Sequence, residues 1–146
     1  KSYGLQWVEN LFELRPRWTV NLDIVAIKSE AKKALYSECS QVSSYAQGSF
    51  HRHFENFSGN KTYLMRVSLP VDPYWKRGSE VATLTWVEKN TTMPAPHVVA
   101  YSSDRKNAVW FEWMLMTQLP GVNQSKKWRN ISFELRYCIT ELVVKH

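Results

Sequence analysis

The chain has 146 residues, of which 44% are hydrophobic, 14% aromatic and 22% charged. This is the composition of one globular domain and not of a disordered segment. Lys and Arg number 19 against 13 Asp and Glu, a net charge of +6 that favours anionic partners without choosing among nucleotides, nucleic acid and acidic surfaces.

No apolar run approaches the ~20 residues that a membrane span needs. Lys1 to Asn10 lack the apolar core of a signal peptide, although position 1 is not Met, so the expected compartment is the cytoplasm. Cys39 and Cys138 permit one disulfide, but a reduced pair is the expectation there.

Residues 1–20 carry Trp7, Leu11, Phe12, Leu14 and Trp18, broken by Pro16, and read as an amphipathic turn packed on a neighbour. Asn21 is a candidate helix cap. Ile24, Ile27, Ala31, Ala34 and Leu35 then recur at helical spacing and predict a helix over 22–36. Val42 to Tyr45 reads as a strand, Gln47-Gly48-Ser49 as a turn, and Phe50 to Phe57 as a second strand. Ser58-Gly59-Asn60 is a tight turn, and Thr62 to Leu69 a third strand ended by Pro70.

After a loop with Pro70 and Pro73, Ser79 to Lys89 is predicted helical and stops at the Thr91–Pro96 segment. His97 to Tyr101 is a strand, Ser102 to Asn107 a polar turn, and Ala108 to Met116 a long apolar strand. Leu119-Pro120-Gly121 breaks it, and Ser132 to Val144 is a final helix. The expected fold is α+β: a five-stranded antiparallel sheet with a helix between its third and fourth strands, plus flanking N- and C-terminal helices. Three parts are expected: an N-terminal helical extension over 1–38, a central domain over 39–121, and a linker with the start of a helix over 122–146.

This order places a Gly-containing turn between the first two strands, where backbone N–H groups can approach a ligand. Arg66 lies in the middle of the third strand and Glu80 early in the following helix, placed to pair with it. The last strand leads into an extended segment whose backbone can read a flat base. That is the layout of a kinase small lobe.

The sequence resembles the small lobe of the aminoglycoside phosphotransferase-like kinases, in particular their fungal members. The residues that carry it are Met65-Arg66-Val67, Ser79-Glu80-Val81-Ala82-Thr83-Leu84, the segment Thr92 to Tyr101, and Phe111-Glu112-Trp113-Met114-Leu115-Met116 with Leu119-Pro120-Gly121. The resemblance covers about residues 15–140. It implies an ATP-binding role: Gly48, Ser49 and Phe50 in the nucleotide-covering turn, Arg66 on the phosphates, Glu80 orienting Arg66, and Met116 at the back of the adenine pocket. Thr117 and Leu119 would supply linker backbone groups for adenine.

The turn holds one glycine where many relatives hold two. The family's His-Gly-Asp catalytic loop and its magnesium-binding Asp are absent, so no catalytic or metal-ligating residue is assigned, and phosphoryl transfer is not expected of this chain alone. Mg would enter only with a second lobe. The alternative is a non-catalytic, pseudokinase-like interaction domain. It would bind a protein partner or a second copy through Trp113, Leu119, Trp128 and the final helix.

Plainer readings stand beside these. Gly48 serves equally as a hairpin glycine, Arg66 and Glu80 as a surface pair worth ~0–1 kcal/mol, and Met116 as core. His51 and His53 share a strand face, but no third metal ligand is evident. Asn56, Asn60, Asn90, Asn123 and Asn130 head N-x-S/T triplets, read as chance without a signal peptide. Lys126 to Arg129 is a basic aromatic cluster at a helix start. No RNA-recognition signature or zinc-finger spacing supports a nucleic-acid partner.

Overall fold

A computed structural model describes residues 3–10, 12–71, 75–122 and 127–145. The first part of the N-terminal segment is a hairpin and not helical; the helix expected over 22–36 follows it. Strands β1 (Leu5–Asn10) and β2 (Glu13–Trp18) form a separate antiparallel hairpin. Pro16 fits because each strand of a two-stranded ribbon has an open edge, where the missing N–H costs no ladder bond. Gly4 sets the entry to β1. Its φ is +80°, and a Cβ there would stand 2.4 Å from Phe111 Cζ. The Thr19 N–H donates to Gly4 O at 3.0 Å and closes the hairpin base.

Helix α1 (Ile24–Leu35) follows, capped by Asp23 and not by Asn21: Asp23 Oδ1 accepts from the Val25 N–H at 2.8 Å. Lys32 and Lys33 occupy its last turn, where cations suit the helix dipole. Ile27 and Ala31 are its buried apolar anchors.

The main sheet contains β3 (Gln41–Gln47), β4 (His51–Ser58), β5 (Lys61–Ser68), β6 (Val98–Ser102) and β7 (Glu112–Thr117), in the order β3-β4-β5-β7-β6. All pairings are antiparallel. Helix α2 (Trp75–Asn90) lies between β5 and β6, as the element order predicts. It begins four residues before the expected Ser79. A 3₁₀ turn at Trp128–Asn130 precedes α3 (Phe133–Lys145). Each edge strand carries a register shift, between Ser44 and Ala46 in β3 and between Val98 and Ala100 in β6. Such bulges discourage edge-to-edge pairing.

The last strand is shorter than the apolar run Ala108 to Met116. Asn107 pulls the first part of that run into a turn. Its amide donates to Phe111 O at 2.9 Å and its Oδ1 accepts from the Val109 N–H at 2.9 Å. These bonds compete locally with the strand ladder.

Alternation divides the sheet into two faces. Arg52, Phe54, Met65, Val67, Trp113 and Leu115 share one, by register. Its apolar members join Trp18, Ile27, Ala31, Val109 and Phe111 in the core. Arg52 stays on this face through Trp18, with its guanidinium 4.7 Å from the ring centroid. Helix α1 contacts both edge strands, β3 and β6, so the sheet curls around it. No helix among the described residues is long and apolar enough to cross a membrane.

Candidate functional site

His51, His53, Arg66, Ser68, Glu112, Met114 and Met116 fall on the other face by register. Helix α2 covers part of it, against β6 and β7. Arg66 sits at mid-strand, opposite His53 on one side and Met114 on the other. It meets Glu80: Arg66 Nη2 donates to Glu80 Oε2 at 2.6 Å. The two side chains are 20% and 29% exposed, so the pair is partly withdrawn from solvent and not a free surface pair.

A third member was not read from the sequence. Arg77 Nη1 donates to the same Glu80 oxygen at 2.8 Å, and Arg77 is only 2% exposed. Placing the helix start at Ser79 leaves Arg77 in a loop. Gly78 is the reason, since glycine ordinarily argues against a helix interior. With α2 begun at Trp75, Arg77 and Glu80 are three apart and lie on one helix face. Two cations therefore share one carboxylate oxygen. The Nε atoms of Arg66 and Arg77 are buried and have no hydrogen-bond acceptor among the described residues. Unsatisfied buried donors are costly and uncommon in native folds.

The local field is positive. Burial first, then Arg66, Arg77, Lys76 and His53, push the His51 pKa down to about 4. Burial and Arg66 also lower His53. Burial and Arg66 lower Arg77, with Glu80 and the buried Glu112 opposing them. His51 Nδ1 lies 2.9 Å from Ser68 Oγ. The His51 and His53 ring centroids are 6.3 Å apart, and no group of three metal-ligating side chains forms among the described residues.

The turn between β3 and β4 stands at the α2 end of the sheet. Lys76 Nζ lies 5.4 Å from the centroid of the exposed Phe50 ring and links the turn to the first turn of α2. The Phe50 carbonyl accepts from the Leu69 N–H at 2.9 Å. Gly48 donates its N–H to His51 O at 2.8 Å, and a Cβ there would meet nothing nearer than 3.8 Å. The turn therefore does not require glycine.

The far end of β7 holds Met116 and Thr117, and Leu119 follows it. Met116 is buried and Leu119 exposed. The Thr117 N–H donates to His97 O at 2.9 Å, and Thr117 Oγ1 accepts from the His97 N–H at 2.9 Å. Gln118 Nε2 donates to Glu55 Oε1 at 2.9 Å, which ties this segment to β4. Thr117 thus has its N–H engaged, while Leu119 projects into solvent.

Other sequence candidates part from this site. Trp113 is buried in the core, so it offers no partner surface, whereas Trp128 stacks beneath Arg136 at 5.7 Å. Asn56 is fully buried and donates to Phe54 O at 3.0 Å, which excludes its triplet from glycosylation in the folded state. Asn123 and Lys126 lie outside the described residues. Cys39 is buried, Cys138 is exposed, and neither forms a disulfide.

No protein-family model matches the chain. No solved structure matches it. Among curated proteins, it is similar to a subtelomeric hrmA-associated cluster protein of Aspergillus fumigatus from two strains, with 28% identity over 97 residues in each case. The match covers 64% of this chain and 19% of each relative, so the chain spans about a fifth of the length of the curated relatives it matches.

Proposed function

We propose that the chain is the nucleotide-binding small lobe of an aminoglycoside phosphotransferase-like small-molecule kinase, of the protein-kinase-like fold. The observation that carries this reading is the Arg66–Glu80 pair, strand to helix, at 2.6 Å, with buried guanidinium Nε–H groups that have no acceptor among the described residues. A phosphate chain supplies such acceptors and suits the positive field around His51. Arg66 is assigned to the phosphates and Glu80 to holding Arg66. Ser49 and Phe50 offer backbone N–H groups from above, beside Gly48. Met116 backs the base, and Leu119 gives the backbone donor that Thr117 has already committed.

The reading assigns this chain nucleotide binding and no phosphoryl transfer of its own. The sequence contains no His-Gly-Asp triplet, and on this reading the metal-bearing carboxylates would come from a second lobe. Calorimetric titration with Mg-ATP tests it. Binding should be weakened at least tenfold by Arg66→Ala, and His51 should titrate at higher pH in the bound state, because a nearby anion favours the imidazolium. Equal heats for wild type and Arg66→Ala would refute it.

A second reading rests on a different observation. No described residue of α3 is buried, and Phe133, Leu135, Tyr137, Leu142 and Val144 are all exposed. In that reading the chain is a pseudokinase-like interaction domain whose partner covers α3 and Leu119. Sedimentation over a range of concentrations tests self-association, and a single monomeric species would refute that form of it.

A further inference from the structure

The loop between β6 and β7 and the residue before Gly4 border an open cavity of about 600 Å³, whose described lining is Tyr3, Asp104, Arg105, Lys106 and Trp110. Its size lies in the range of small-molecule sites. It is separate from the Arg66–Glu80 pair and shares no residue with it.

Its two aromatic walls are held by different means. Tyr3 packs on Phe111 with ring centroids 5.8 Å apart, and Phe111 packs on Trp18 at 5.3 Å. Phe111 and Trp18 are buried core residues, so the Tyr3 wall rests on the core. Trp110 is held by its backbone. Its φ is +63°, a conformation in which bulky residues are rare, and its N–H donates to Asn107 O at 3.2 Å. Asn107 in turn donates to Ser102 Oγ at 3.0 Å, Asp104 O at 2.9 Å and Phe111 O at 2.9 Å.

A tight turn of this kind favours Gly or Asn at the left-handed position. Trp110 gains little there from burial, since it is 66% exposed. Backbone strain that presents a side chain to solvent instead of burying it is a pointer to function. The charge at the mouth sets the chemistry of the occupant. Asp104 Oδ1 accepts from the Lys106 N–H at 2.9 Å and from Ser102 Oγ at 3.4 Å, so this acid builds the turn. Arg105 and Lys106 have no ion-pair partner among the described residues, and the three charges sum to +1.

We propose that this cavity binds a small planar aromatic anion, its ring between Trp110 and Tyr3 and its carboxylate or phosphate on Arg105 and Lys106. Offset stacking on an indole supplies the apolar part, and the two cations supply orientation.

The test is calorimetric titration of the whole chain with 2-naphthyl phosphate, set against 2-naphthol and inorganic phosphate. The phosphate ester should bind at least tenfold more tightly than either fragment. Trp110→Gly and the double variant Arg105→Gln/Lys106→Gln should each weaken it at least tenfold. Both should keep the wild-type circular dichroism, and the double variant changes only the loop surface. Equal affinity for 2-naphthol, or binding unchanged in both variants, overturns the proposal. So does no binding to wild type. Loss of binding in Arg66→Gln with retention in Trp110→Gly would place the ligand on the β5–α2 pair instead, and would overturn it too.

Discussion

The backbone of Trp110 gives a stability test whose sign is set by one dihedral angle. At an ordinary loop position with negative φ, glycine is the less stable choice by about 0.4–1 kcal/mol, because it adds freedom to the unfolded chain. At φ +63° the order should reverse. A residue with a Cβ pays about 1–2 kcal/mol to hold the left-handed conformation, and glycine pays almost none. Trp110 is 66% exposed, so about a third of the side chain, roughly 85 Å² of a ~250 Å² residue, is buried. At ~25 cal/mol per Å² that burial is worth about 2 kcal/mol at most. Trp110→Ala and Trp110→Gly lose it equally, so their difference isolates the backbone.

Trp110→Gly is expected to be more stable than Trp110→Ala by about 1 kcal/mol after the two backbone effects partly cancel. For a chain of this size that is a melting-temperature gap of about 3 °C. Urea titration followed by far-ultraviolet circular dichroism measures it, and both curves should share one slope. An alanine variant as stable as the glycine variant, or more so, would refute the left-handed turn. It would also remove the strain argument for the neighbouring cavity.

Three further outcomes follow from the packing and the charges. Gly4→Ala should destabilise by about 2–4 kcal/mol, since φ +80° and a 2.4 Å approach to Phe111 both oppose a Cβ; urea unfolding of the variant checks it. Glu80→Ala should cost about 2–3 kcal/mol by leaving Arg77 without one of its partners, and adding Arg77→Met should recover part of the loss in a double-mutant cycle. His51 has a folded-state pKa of about 4 against an ordinary 6.5, so the unfolded chain takes up the proton first as pH falls. Its contribution is intact above pH 6.5 and is lost progressively between pH 6.5 and 4, to about 2 kcal/mol after allowance for partial exposure. His51→Gln should flatten that profile in urea midpoints taken at pH 7 and 4.5.

The elements legible in the sequence are those whose local signals agree with their tertiary role. Helix α1 has helical spacing at Ile27 and Ala31, which are the residues it buries. Strand β5 is bounded by the Gly59 turn and Pro70, and α2 lies where the order requires. The elements that were not legible are those where tertiary context overrides a local signal. The β1–β2 hairpin hides behind Pro16 and a mixed apolar pattern, and it depends on Gly4 meeting Phe111, a residue more than a hundred positions away. Ala108 to Phe111 reads as strand because it is apolar, while one Asn107 side chain bends it into a turn. The pairing of Arg66 with Glu80 was legible from the strand-then-helix layout and the resemblance, and not from their spacing of 14 alone. Arg77 was concealed by Gly78, and the cavity beside Trp110 has no sequence pattern at all.

The manner in which α2 is held bears on the proposed phosphate site. Arg77 is the buried residue of this helix, and Trp75 and Trp86 face solvent. Helix position normally comes from an apolar stripe set into the core. Here the ion pair that joins α2 to β5 is Arg66–Glu80, and Arg77, on the same helix as Glu80, shares its oxygen. Helix α1, by contrast, buries Ile27 and Ala31 in the core. An anion drawn to Arg66 would act on the same group that tethers the helix. It would add an acceptor for the Nε–H, which has none among the described residues, and it would compete with Glu80 for the guanidinium. On that proposal, occupancy of the phosphate site and placement of α2 would be linked through Arg66, while the Arg77–Glu80 pair would remain when Arg66 turned to the ligand.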